Sequence, residues 1–186
     1  MAYANVSEQQ QILSISPERF LKATAEKLET KPIKGTAGRS SNKEVDAQIA
    51  LCLQQSEKNR AENLMIVDLL RNDFGRYCET SSITVDELFA IESFANVHHL
   101  VSTITGTIKA DKNIWDVFFS AFPGGSITGA PKIRASQIIN ELEQQRRDIY
   151  CGSVFYASNN GKFDSNIAIR TLLDNDQHLT AWAGGG

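Results

Sequence analysis

Several things are scarce in this sequence, and each scarcity excludes a class of protein. Among 186 residues there are four prolines and three histidines, and no internal repeat or linker-like stretch interrupts the chain. Collagen-like, low-complexity and disordered chains are excluded on that composition. The three cysteines, Cys52, Cys78 and Cys151, are an odd, scattered set without a C-x-x-C pair. They point to a reduced, intracellular compartment rather than a disulfide framework. No run approaches the ~18 apolar residues of a membrane span. The N-terminus, MAYANVSEQQQILSI, has neither a basic region nor an apolar core to act as a signal. A cytoplasmic protein without a membrane partner is expected. Nor is charge of one sign in excess: 19 Lys and Arg stand against 22 Asp and Glu, a net charge of −3. That balance does not suit a polyanion binder working through counterion release, so nucleic acid is not an expected partner.

What is present is ordinary globular material, 41% hydrophobic and 22% charged, of a length that suits one domain or part of a larger one. Residues 11–36 read as short extended pieces punctuated by Ser16-Pro17 and Pro32, since each proline biases its predecessor away from helix. Ser41 and Glu44 have capping-box spacing and predict a helix start. With Val45, Ile49, Cys52 and Leu53 on one face, that helix is expected to run to about Arg71, a spine of ~45 Å unless it bends. A second capping box at Thr84–Glu87 predicts a short helix, and the β-branched run NVHHLVSTITGTIKA a strand. A helix from about Asn113 to Ser120 leads to the glycine-rich loop FPGGSITGAP. An amphipathic helix is then expected with Pro131 in its first turn and Ile133, Ile138, Ile139 and Leu142 inward. The last forty residues read as three strands joined by turns at Asn159-Asn160-Gly161 and Asp174-Asn175-Asp176. This order is not a regular β-α-β alternation, so the expected class is α+β with mostly antiparallel strands.

Several residues could carry chemistry. Gly124 and Gly129 have the interval of a phosphate loop, but Ala130 and Pro131 stand where that motif needs Lys and then Ser or Thr, so a nucleotide loop is excluded. Two readings remain: a helix N-terminus that suits a carboxylate, with Ser126 and Thr128 adding hydroxyls, or a flexible loop ending in a capped helix. Lys34, in P-I-K-G-T, is either a surface lysine or, if desolvated, an amine nucleophile. Glu18, in S-P-E-R-F, is a general acid if its segment pairs with that of Lys34, and Arg19 beside it suits an ordinary ion pair. Glu62, with Asn59 and Asp68, offers oxygen ligands to magnesium or simply a solvated helix face. His98 and His99 are strand neighbours and point to opposite faces, one toward core or site and one away, so they do not chelate a metal together. Arg170 ends the apolar run NIAIR and calls for a partner such as a bidentate carboxylate.

Taken together, SPERF at 16–20, PIKGT at 32–36, AENLMIVDLLRND at 61–73, HLVSTI at 99–104, FPGGSITGAPK at 122–132, YCGS at 150–153, IAIRT at 167–171 and AGGG at 183–186 resemble, in order and spacing, the chorismate-utilising enzymes. The resemblance implies an α+β fold that is part of a two-sheet sandwich, helices outside, with residues 1–186 forming a single partial domain. Within that family the lysine of P-I-K-G-T marks the members that aminate chorismate at C4, on the route to para-aminobenzoate and folate. Alanine there marks those that make anthranilate. The resemblance further implies that Lys34 attacks C2 of chorismate while Glu18 protonates the departing C4 hydroxyl. Ammonia, supplied by a glutamine amidotransferase subunit, component II, then adds at C4. It makes Gly35, Thr36 and His99 part of the ring site, and assigns Tyr150, Arg170 and the amides of Gly184, Gly185 and Gly186 to a substrate carboxylate. Glu62 would help to hold Mg2+. Family members continue past AGGG with a further magnesium-binding glutamate and carry an N-terminal half before this region. The expectation is therefore a fragment that binds magnesium and chorismate weakly without measurable turnover. The alternatives are a noncatalytic remnant or an anthranilate synthase-like enzyme.

Overall fold

The computed structural model describes residues 1–184. In chain order the elements are β1 (Ala2–Ser7), β2 (Gln10–Ser14), β3 (Arg19–Thr24), β4 (Lys27–Lys31), β5 (Ile33–Gly38), α1 (Lys43–Gln55), α2 (Glu57–Tyr77), β6 (Thr84–Ser93), β7 (Val97–Thr107), α3 (Ile114–Ala121), α4 (Gly125–Thr128), α5 (Lys132–Leu142), β8 (Phe155–Ala157), β9 (Lys162–Asn166), β10 (Thr171–Asp174) and β11 (Leu179–Ala181), with a 3-10 turn at Thr80–Ser82. The class is α+β, and the strand pairings are antiparallel. The chain divides into two compact units, residues 26–113 and the remainder on either side of them.

In the unit of residues 26–113 the central element is β7, the predicted strand. Along one edge it pairs with β6, from Thr105 opposite Thr84 to His98 opposite Ser93. Along the other it pairs first with β4 and then with β5, with Thr30 opposite Ile104 and Ile33 opposite Val101. Nine of its eleven residues, His98 to Gly106, are buried and only the two end residues are half-buried, which suits a β-branched run without a solvent face. Helix α2 buries Asn63, Ile66, Val67, Leu70, Asp73, Phe74 and Tyr77, a stripe at 3.6-residue period.

Three expectations fail in this unit. The cap of α1 is Asn42 rather than Ser41: its carboxamide oxygen accepts from the amides of Glu44 and Val45 at 2.9 and 3.2 Å. The long helix breaks at Ser56, whose ψ of 110° ends α1 while its hydroxyl caps α2, and α2 then runs through Gly75 to Tyr77. Of the proposed inward face of α1, Leu53 is buried but Val45 is 49% exposed. Thr84–Glu87 begins strand β6, not a helix. The Thr84 hydroxyl meets Asp86 at 2.6 Å and Thr105 at 3.0 Å, so cross-strand partners replace the cap.

In the other unit, β1, β2, β10 and β11 form one four-stranded meander in that order, and β3, β9 and β8 pair in sequence. Its core is aromatic. The Phe118 ring of α3 lies 5.8 Å from Phe20, 5.3 Å from Phe155 and 5.4 Å from Phe163. Trp115 meets Phe163 edge-on at 5.7 Å. The final segment holds four strands rather than three, because the chain bends between β9 and β10 at residues 167–170. The predicted inward face of α5 is not buried: Ile133 and Leu142 are 79% and 76% exposed, and Pro131 precedes the helix as its cap.

Candidate active site

The residues expected to act together fall into both units. In residues 26–113 the P-I-K-G-T segment is strand β5, and its pairing with β7 shifts register between Ile33 and Thr36. A bulge of this kind re-aims the side chains beside it. Gly35 makes it possible. Its φ is +96°, and a Cβ there would sit 2.9 Å from the Asn59 carboxamide carbon and 3.1 Å from Leu53. Both backbone sign and space demand glycine. Lys34, next to it, is half-buried on the same bulge. Thr36 Oγ1 and His99 Nδ1 form a hydrogen bond of 2.8 Å, and the buried His99 ring packs edge-on against Phe94 at 5.4 Å. Lys34, Gly35, Thr36 and His99 are thus brought into one neighbourhood.

Helix α2 contributes from beneath. Asn59 touches Gly35, and Glu62 follows it by three residues, on the same side of the helix. The Glu62 carboxylate is 45% exposed and 3.9 Å from Lys58 Nζ, a loose ion pair that leaves it open to a cation. Asp68 lies elsewhere on the helix, paired with Arg71 at 3.4 Å, so Asn59, Glu62 and Asp68 do not form one ligand set. Among the described residues no group of three or more His, Cys, Asp and Glu side chains could hold a metal. One carboxylate does fit the habit of magnesium, which is commonly held by one or two protein carboxylates with water completing its octahedron.

Both histidines are buried, which corrects the expectation that one faces away. The face opposite His99 is occupied by a polar network. His98 Nε2 is 3.0 Å from Asp46 Oδ1, and His98 Nδ1 is 2.8 Å from the Ser93 hydroxyl. The Arg39 guanidinium, then the Ser40 amide, then His98 hold the Asp46 carboxyl well below the usual carboxylate range. This network ties the chain just after β5 and the start of α1 to β7. Asn63 adds a second tie: its Oδ1 accepts from Ser102 Oγ of β7 at 2.6 Å. Sequence reasoning named Asn59 only as a magnesium ligand beside Glu62, not as a neighbour of Gly35, and missed Asp46 and Asn63. The spacing of Asn59, Glu62 and Asn63 on one helical face was the available signal for Asn63.

In the other unit, Glu18 is 8% exposed just before β3, with its amide donating to Ser16 Oγ at 3.2 Å and its carbonyl accepting from the Ile167 amide at 3.1 Å. It borders a cavity of about 410 Å³ also lined by Ser16, Arg19, Tyr156, Asp164 and Asn166. Arg19 pairs with Asp164 at 3.2 Å, as its expected ordinary role required. Tyr150 stacks on Trp182 with centroids 6.1 Å apart and planes 3° from parallel. Burial pushes its hydroxyl pKa up, keeping it a hydrogen-bond donor. A Cβ on Gly184 would lie 3.3 Å from that hydroxyl, so Tyr150 and the start of the glycine run are neighbours. Gly185 and Gly186 lie outside the described residues. Arg170 does not end a strand: it sits in the bend after β9 at φ +49°, exposed, without an ion pair among the described residues. In the glycine-rich loop the Thr128 hydroxyl donates to the Gly124 carbonyl at 3.0 Å, satisfying the turn of α4 itself.

The profile of the chorismate binding enzymes matches residues 1–186. The chain belongs to that family. The chain is 54% identical over 175 residues to aminodeoxychorismate synthase component 1 of Klebsiella aerogenes, covering 94% of the chain and 39% of the relative. It is 51% identical over 179 residues to the protein of the same name from Escherichia coli strain K12, covering 96% and 40%. The crystal structure of anthranilate synthase component I from Streptococcus pneumoniae TIGR4 superposes with a TM-score of 0.85 at 35% identity, over 96% of this chain and 39% of that one. The chain thus spans about two-fifths of the length of these relatives. None of its helices, among the described residues, is long and apolar enough to cross a membrane, and Cys52, Cys78 and Cys151 are free thiols.

Proposed function

We propose that the chain is the catalytic region of an aminodeoxychorismate synthase component I, converting chorismate and ammonia to 4-amino-4-deoxychorismate for para-aminobenzoate and folate synthesis in the cytoplasm. The observation that carries this reading is Lys34 on the bulge of β5, fixed by a glycine that admits no side chain against Asn59 and Leu53. A nucleophilic lysine must be presented at a repeatable angle, and a bulge locked from behind does that. The relatives bearing the aminodeoxychorismate synthase name, at 51–54% identity, support the same choice over an anthranilate-forming enzyme.

In the proposed reaction the Lys34 amine forms a bond to C2 of the ring as both ring double bonds shift and the C4–O bond breaks. Glu18 gives its proton to the departing oxygen, which leaves as water. Ammonia then bonds to C4, both double bonds shift back, the C2–N bond breaks with its electron pair returning to the Lys34 nitrogen, and the proton shed by the new C4 ammonium returns to Glu18. His99, oriented through Thr36, lines the ring, while Tyr150, Arg170 and the amides of Gly184 to Gly186 hold a substrate carboxylate. Magnesium, when bound, would neutralise the ring carboxylate, with Glu62 as this chain's anchor. Ammonia would come from a glutamine amidotransferase partner, component II.

The test uses the chain itself and the chain grafted in place of the 175 matched residues of the Klebsiella aerogenes relative. Incubation with chorismate and magnesium, without ammonia, is expected to add the mass of chorismate less one water to the graft, at the peptide containing Lys34. The chain alone, with one magnesium anchor, is expected to show far less adduct. An adduct of undiminished yield in Lys34→Ala would sink the assignment.

A further inference from the structure

One side chain in the unit that carries Tyr150 touches three parts of that neighbourhood, and no role above uses it. Arg147 lies in the turn after α5. Its guanidinium forks onto Glu143, with Nε 2.8 Å from Oε2 and Nη2 2.5 Å from Oε1. Nη1 donates to the Ile127 carbonyl of the glycine-rich loop at 3.4 Å and to Cys151 Sγ at 3.5 Å. The guanidinium carbon is 6.0 Å from the centre of the Tyr150 ring, at the outer reach of a cation–π contact, and the Arg147 carbonyl accepts from the Tyr150 amide at 2.7 Å. Tyr150 in turn stacks on Trp182 and neighbours Gly184.

Two roles are open to an arginine in such a place: a ligand for an incoming anion, or a strut. Its partners decide. Both Glu143 oxygens are engaged in a bidentate pair, the arrangement arginine forms most strongly, and Nη1 is spent on a backbone carbonyl and a thiol. The charge is neutralised on the spot: hydrogen bonding to Arg147 lowers the Glu143 carboxyl, and hydrogen bonding to Glu143 raises the guanidinium. Arg170, exposed and without an ion pair among the described residues, is in the opposite condition and suits a ligand.

We propose that Arg147 is a positioning residue, a strut that joins the glycine-rich loop at Ile127 to the Tyr150 ring and so fixes the direction of the Tyr150 hydroxyl beside Gly184. The proposal rests on the reading of Tyr150 as a carboxylate holder. A long side chain fixed at these contacts ties the loop to the Tyr150 neighbourhood, and supporting contacts of this kind decide whether a binding group stands at the right place.

The experiment is run on the 186-residue chain carrying Trp115→Phe, so that Trp182 is the one remaining tryptophan. Without ligand, Arg147→Met is expected to red-shift Trp182 emission and to speed hydrogen exchange of the amides at 125–129 about tenfold, with far-UV circular dichroism retained. Arg147→Lys, the milder variant, keeps one donor and is expected to fall between. Unchanged emission and unchanged exchange in Arg147→Met would overturn the strut. Chorismate titrated to millimolar concentration on the same signal separates the two roles. Glu143→Gln loosens a strut and is expected to raise Kd about threefold or more, whereas a freed guanidinium acting as a ligand would lower Kd and overturn the proposal. Tyr150→Phe with unaltered chorismate affinity would remove the carboxylate reading of Tyr150 while the ligand-free measurements still judge the strut.

Discussion

Around Lys34 the groups that hold the site are polar and most are buried: Asn63 on Ser102, His99 under the exposed Thr36, and Asp46 with His98 beside the partly exposed Arg39. Around Glu18 and Tyr150 the holding is done by rings and backbone: Phe20, Phe118 and Phe163 under β3 and β9, Tyr150 on Trp182, and the Ile167 amide on the Glu18 carbonyl. The difference matters because a buried hydrogen bond fixes direction and is costly to leave half made, while apolar packing fixes volume and relaxes when trimmed. The role proposed for Lys34, a nucleophile, asks for direction, and the role proposed for Glu18, a general acid, asks for a shielded place; the two kinds of holding match these two proposed tasks.

The largest effect that would sharpen the comparison is chemical. Glu18→Gln in the grafted enzyme is expected to keep chorismate KM within a few-fold and to lose roughly 10²–10⁴-fold in kcat, the range for one general acid. Near-normal turnover would show that the shielded carboxyl is structural. Next comes volume. Phe163, 1% exposed among Trp115, Phe118 and Phe155, is expected to cost about 3–5 kcal/mol as Phe163→Ala, read by urea unfolding. A loss below about 1 kcal/mol would mean that the aromatic cluster is not what holds that unit. Smaller in stability but sharper in function is Gly35→Ala, which combines a positive φ with contact against Asn59 and is expected to cost about 1–3 kcal/mol. It should reduce adduct formation at Lys34 by more than its stability loss explains, because the bulge is re-aimed. An adduct rate unchanged from wild type would separate the bulge from the chemistry.

The smallest effect depends on pH. The folded Asp46 carboxyl sits below its ordinary value of about 3.9, so the stability it contributes is present above that pH and fades as pH falls toward the folded value. Asp46→Asn is expected to lower Tm by several degrees at pH 7, and the gap from wild type is expected to narrow by pH 3. A gap that does not change between those pH values would assign the network's contribution to something other than this carboxylate.

The class, the antiparallel strands, strand β7 and helices α2 and α3 were legible because their apolar periods are long and unbroken. Lys34 and Glu18 stood out because a proline or glycine beside each marks a constrained backbone, and the structure puts the first at a strand bulge and the second in a buried place before β3, while their chemical roles belong to the proposal. Other features depended on partners distant in the chain. Thr84 reads as a cap until Thr105 is opposite it, and Ser41 as a cap until Asn42 takes both amides. One of the two adjacent histidines was expected to face away because nothing in the local sequence announces Asp46, 52 residues from His98. Of the α5 side chains assigned to the interior, Ile133, Ile138 and Leu142 are exposed and Ile139 is half-buried.

The way β7 is shared has a consequence in time. Its partner β6 ends three residues before it begins, so that hairpin closes a short loop at little entropic cost. The other edge must recruit β4 and β5, which contact it from about 60 to 80 positions away in the chain, and pairings of such separation form slowly. Loop closure therefore orders the events: the β6–β7 ribbon comes first as a template, and the strand bearing Lys34 is laid against it afterwards. On this order Lys34 is among the last groups of its unit to be put in place.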